Sequence, residues 1–204
     1  MRYISARQMI FDAYHEQRGS VMAYAQEIAR MGAQVQTTQR NNNDWRIVNG
    51  LEAGAVISAV ENQPAHLAAL ARYCFGPFTR DELGEDREWI HTALMHVGMQ
   101  MRLPGQGQAE RPPAEAARQL RWIVSAAIHH HAETTYPYNR PGLHNPRRIA
   151  VWIEQEHGAV VDVRRWAASG RTCWKGVWEK LLDTLDRWEC NALAPVADLI
   201  PKAA

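Results

Sequence analysis

Cysteine is scarce in this chain of 204 residues: Cys74, Cys173 and Cys190 stand far apart and none belongs to a CxxC pair. Such spacing supports neither a zinc knuckle nor a disulfide framework, and it suits a reducing, cytoplasmic setting. No run of about 18 apolar residues occurs, so no membrane span is expected. The opening MRYISARQMIFDAY mixes polar and apolar residues and lacks the apolar centre of a secretion signal. Strand-like alternation is nearly absent, with one short candidate at DWRIVNG, residues 44–50. Enzyme signatures are missing as well. There is no GxSxG, P-loop, HExxH or GxGxxG, and the carboxylates form no paired acid/base constellation. No catalytic residue, cofactor or metal site is assigned, and the chain is read as a non-enzyme. His129, His130, His131, Glu133 and His144 are the one group rich in possible ligands. Three consecutive histidines point in three directions round a helix, so at most one or two of them can share a metal.

What is present is helical periodicity. Met9, Ile10, Ala13 and Tyr14 form one stripe, broken at Gly19 and Ser20, and VMAYAQEIARM (21–31) reads as a second helix. The polar, asparagine-rich segment 34–50 reads as a loop. LEAGAVISAVEN and PAHLAALARYCF read as two short helices, the second opened by Pro64. Thr79 is the expected N-cap of the next helix, which carries acids in its first turns. RLPGQGQAERPP is a linker or a surface loop. It separates an N-terminal helical lobe (1–103) from a C-terminal one (113–204) across residues 104–112. After Pro113 a helix with Leu120, Ile123, Val124, Ala127 and Ile128 on its core face is expected, then a loop, then helices at 146–156, roughly 160–168 and 172–191. The fold class is therefore all-α, a helical bundle.

The chemistry lies in the charge pattern. Net charge is only +1, yet residues 140–180 hold eight Lys/Arg against four Asp/Glu. A cationic patch in a balanced chain fits a polyanionic partner. In the last helix Trp174, Trp178, Leu181, Leu185 and Trp188 share a face, whereas Thr172, Lys175, Glu179, Asp183 and Asp186 lie opposite. Its first turn is basic, against the preference of the helix dipole for acids there, and an anionic ligand reverses that sign. Two helices joined by a turn at Ser169-Gly170, the second cationic at its start, follow the plan of a helix-turn-helix within 146–191. On this plan Arg171, Thr172 and Lys175 read bases, and Arg147, Arg148, Arg164 and Arg165 clamp the DNA backbone. An ordinary three-helix corner, its arginines lying over tryptophans, is the structural alternative. The loop with Tyr136, Tyr138, Asn139 and Arg140 is a further candidate for backbone contact, and TRDELGEDREW (79–89) is a solvated face or an acidic contact for a partner.

The stretch SGRTCWKGVWEKLLDTLDRWE, within roughly 145–192, resembles the Q-type transcription antiterminators of phage late genes. It is most similar to the AlpA-type positive regulators of bacterial self-lysis cassettes. The resemblance implies binding of double-stranded DNA near a promoter through Arg171, Thr172 and Lys175. It also implies engagement of RNA polymerase by the N-terminal lobe, contact with nascent RNA, and passage through terminators. The alternatives are an operator-binding repressor or activator and a protein-interaction module that does not bind DNA.

Overall fold

The structure, a computed structural model, describes residues 5–18, 43–109, 111–135, 138–163, 166–167 and 172–200. Among them there are seven helices and no strand, as an all-α fold requires. They are α1 (Ala6–Arg18), α2 (Asn43–Glu61), α3 (Ala65–Phe75), α4 (Gly84–Met99), α5 (Ala114–Thr134), α6 (Pro146–His157) and α7 (Trp174–Ala197). No described helix is long and apolar enough to cross a membrane.

The helices gather into two compact units, one of Met1–Leu83 with Asn191–Ala204, the other of Gly84–Cys190. In the first unit the α1 stripe of Met9, Ile10, Ala13 and Tyr14 is buried, as are Val56 and Val60 of α2 and Leu70, Cys74 and Phe75 of α3. Tyr14 donates its hydroxyl proton to Glu61, and Arg72 holds the same carboxylate at 2.6 and 2.7 Å. Burial alone would push the Glu61 carboxyl up, but the Tyr14 hydrogen bond and the Arg72 guanidinium hold it below its ordinary value. Gln63 caps two carbonyls, Ala59 and Ala192, which ties the end of α2 to the last turns of α7.

The second unit has its core in Ile90, Leu94, Leu103, Leu120, Ile123, Ile128, Ile149, Ile153, Leu181 and Leu185, all at most 2% exposed. Each such side chain contributes about 1.5–3 kcal/mol by leaving water. The five residues expected on the core face of α5 are all buried there. His91 of α4 reaches the Arg121 carbonyl of α5 at 3.0 Å, joining the first two helices of the unit.

Four expectations need correction or restatement. DWRIVNG is neither strand nor loop: residues 43–50 form the first turns of α2, which continues through the segment expected to begin a helix at Leu51. Helical continuity outweighs the turn-forming asparagines and Gly50, because hydrogen bonds once nucleated propagate cheaply. Thr79 closes a turn at 80–83 instead of capping the long helix: its N–H and hydroxyl both bond Glu82, at 2.7 and 2.8 Å, and regular helix begins at Gly84. Residues 104–112 lie inside the second unit, and the boundary between units falls at 83/84. Their described part is an ordered surface loop in which Gln106 accepts from the Leu103 N–H and donates to the Ala109 carbonyl. The short helix at roughly 160–168 is not formed among its described residues, where 161–163 are irregular and 166–167 make a turn. Gly158, at φ 62°, ends α6 in the left-handed conformation, and the β-branched Val160, Val161 and Val163 do not restart it. The helix expected at 21–31 lies outside the described residues.

Candidate nucleic-acid interface

The second unit carries the cationic segment, and its geometry starts at the first turn of α6. Asn145 is extended, and its side-chain oxygen accepts from the Arg148 N–H at 2.8 Å, with Pro146 at the first helical position. That is the local signature of a capped helix start. Ile149 and Ile153 bury one face of α6. Arg147 and Arg148 are therefore turned outward: both are exposed, and no acid stands in the first turn.

The two arginines line an open groove of about 840 Å³. Its other walls are residues 141–143, Asn145 and Pro146, then Val151, Trp152 and Gln155 of α6, and Val163; no acid is among these described lining residues. Val151 is 50% exposed there. From Val163 a short path of backbone bonds leads to the start of α7. The Trp166 N–H reaches the Val163 carbonyl at 3.2 Å, and the Lys175 N–H reaches the Trp166 carbonyl at 2.9 Å. Trp166 is buried against Trp178, ring centres 6.1 Å apart. This anchors the first turn of α7 and leaves Thr172 and Lys175 exposed. The lysine ammonium lies 3.7 Å from Glu179 one turn on, a solvent-exposed pair worth little and easily exchanged for another anion.

The histidines act as packing groups that shape this region. His130 presents Nδ1 as acceptor to the Leu143 N–H at 2.7 Å, which fixes the 141–145 wall of the groove. Its ring also meets His144 edge-on and lies against Trp178. Burial, then the nearby His144, His131 and His129, push its pKa down to about 4. His129 stacks on Trp152 at 4.6 Å, while His157 meets Trp122 and Trp152 and shares a 2.9 Å hydrogen bond with Ser125. Burial and Arg87 hold His157 below its ordinary value. His131 turns the third way, into α7. It lies buried 3.0 Å from Glu189 and 3.3 Å from Asp186, with the Glu189 approach at ion-pair distance but off the hydrogen-bond direction. Three consecutive side chains thus have three separate surroundings, and no group of three or more His, Cys, Asp or Glu among the described residues is placed to hold a metal.

Of the seven expected DNA contacts, Arg147 and Arg148 meet at one groove, and Thr172 and Lys175 stand exposed at the start of α7. Arg164, Arg165 and Arg171 lie outside the described residues. In the loop candidate, Arg140 lies over the Tyr138 ring and pairs with Glu133 at 3.2 Å. Val151, Trp152 and Gln155 were not singled out from sequence as site residues. Their only signal was position, three to eight residues after Arg147 and Arg148 in the helix opened by the Asn145-Pro146 cap. Comparison with known proteins adds no relative: no family model, curated protein or solved structure matches this chain.

Proposed function

We propose that this protein is a sequence-specific DNA-binding regulator of transcription, working as an antiterminator that engages RNA polymerase and lets it read through terminators. The observation that supports the DNA reading most directly is the pairing of two acid-free helix starts in one unit. Arg147 and Arg148 stand at the first turn of α6, and Thr172 and Lys175 at the first turn of α7, all four solvent-facing. Exposed cations at helix N-termini are suited to phosphate, and a helix backed by buried tryptophans is stiff enough to be inserted into a major groove. In this reading α7 enters the groove, with Lys175 and Thr172 at base edges, and α6 grips the backbone. Residues 158–173 separate the two helices, and the turn expected at Ser169-Gly170 lies outside the described residues. Arg164, Arg165 and Arg171, which belong to that segment, add further positive charge. The antiterminator part rests on the resemblance of residues 169–189 and on nothing else.

Two measurements test it in sequence. Selection of bound fragments from a random DNA library should enrich one motif, and affinity for that motif should fall steeply with salt. Lys175→Ala should cost about 1–3 kcal/mol on the selected site and relax preference at one position. Read-through of a terminator by purified polymerase, on a template carrying the site, then separates an antiterminator from an operator-binding regulator. A protein that enriches no motif and binds all duplexes no better than a neutral protein would end the DNA reading.

A further inference from the structure

The groove beside α6 has a composition that contact with a duplex backbone does not call for. Phosphate contact needs cations and amides, yet most of this lining is apolar: Pro141, Leu143, Pro146, Val151 and Val163 share it with Trp152. Its volume of about 840 Å³ falls in the range of small-ligand clefts, and it is open to solvent along its length. The half-exposed Val151 is an apolar group left facing water, whose covering releases free energy.

The ring of Trp152 is already held. His129 stacks on it at 4.6 Å with 17° between planes, and His157 meets it edge-on at 5.5 Å. An aromatic surface fixed in this way loses little rotamer freedom when a further ring is laid in the groove. The anionic end of the groove is equally prepared. Asn145 satisfies the N–H groups of Arg148 and Ile149, and Pro146 has none. That leaves the Arg147 N–H free of these cap bonds, and the side chains of Arg147 and Arg148 beside it are exposed. Planar guanidiniums suit phosphate oxygens.

We propose that this groove receives an unpaired nucleotide of a single-stranded nucleic acid, with its phosphate at Arg147 and Arg148 and its base over the Trp152 floor. Cation rim with aromatic floor is the combination that binds single strands without hydrogen-bond readout. An acidic peptide would match the arginines but has no group that needs the immobilised indole. A paired base is unable to enter, so the site distinguishes single strand from duplex. The inference shares Arg147 and Arg148 with the reading above and differs from it in strandedness.

The test uses the whole chain and four probes: labelled oligodeoxythymidine, labelled oligouridine, a mixed-sequence duplex and polyglutamate. Both single strands should bind, and which binds tighter names DNA or RNA as the source. A bromouracil-substituted strand should cross-link to the α6 peptide that carries Trp152. Trp152→Leu, checked by thermal melting, should weaken single-strand binding at least about tenfold while changing duplex affinity much less. The cross-link needs no substitution, so it decides the matter even if that variant fails to fold. Single strands bound no better than polyglutamate, or an adduct mapped elsewhere, would overturn the proposal. Duplex bound without single strand overturns it and leaves the DNA-reading proposal standing; single strand bound by a protein that enriches no duplex motif does the reverse.

Discussion

A histidine that accepts a hydrogen bond must be neutral, and this couples His130 to pH. Its ordinary value of 6.5 in the unfolded chain falls to about 4 in the fold. Between those values the unfolded state holds the proton and the folded state does not, so each step down in pH favours unfolding. Stability supported by His130 is complete above about pH 6.5 and is lost progressively toward pH 4, on the order of 1–3 kcal/mol for a partly solvated ring. Thermal melts of the protein across that range should show the loss, and His130→Gln should flatten it. Proton-linked melting that is unaltered in the variant would assign the effect to His157 or to other groups. Gly142 is bound to the same feature. A Cβ there would stand 2.4 Å from His130 Nδ1 and 2.7 Å from the Thr134 methyl, so Gly142→Ala should destabilise by about 1–3 kcal/mol in a denaturant titration. Trp178, 8% exposed and packed between His130 and Trp166, should cost about 3–5 kcal/mol on truncation to alanine.

At the scale of elements the glycines of α2 and α7 separate stability from function. Gly50 and Gly54 lie in the helical interior with open space where a side chain would be. Alanine at either should raise stability by about 0.5–1 kcal/mol, read as a shift in the denaturant midpoint. Gly176 has the same open space on α7 beside Lys175. Gly176→Ala should stabilise equally, yet if the start of α7 lies in a DNA groove the added methyl should weaken binding. A variant that is more stable and binds DNA with full affinity would place the duplex elsewhere. The long amphipathic helices were legible from sequence because burial imposes a period: Leu120 through Ile128 in α5 and Trp174 through Leu185 in α7 lie where their spacing predicts. The first turns of α2 and the valine-rich segment after Gly158 were not, because there local propensity and propagation compete and the winner depends on neighbours. Of the candidate site, Arg147 and Arg148 could be read from charge, but the groove could not. Its walls come from the 141–146 loop and α6, joined by a His130 hydrogen bond that no spacing rule announces.

For the whole molecule the relevant quantity is charge against salt. A net charge of +1 gives little long-range attraction, so any DNA affinity must come from the local patch. Replacing Arg147 with alanine should reduce the slope of log affinity against log salt by about one, uniformly across sequences. A slope that does not change would remove Arg147 from the phosphate contacts. Chain order adds a separate consequence. The first unit holds the amino-terminal helices, but it also includes Asn191–Ala204, where Ala192 and Val196 are fully buried and the Ala192 carbonyl is bonded by Gln63. A ribosome therefore delivers the opening helices long before the piece that completes their core. That unit closes only after synthesis has reached the final turns of α7, and a nascent chain stalled before Asn191 leaves its earliest helices waiting, open to chaperones.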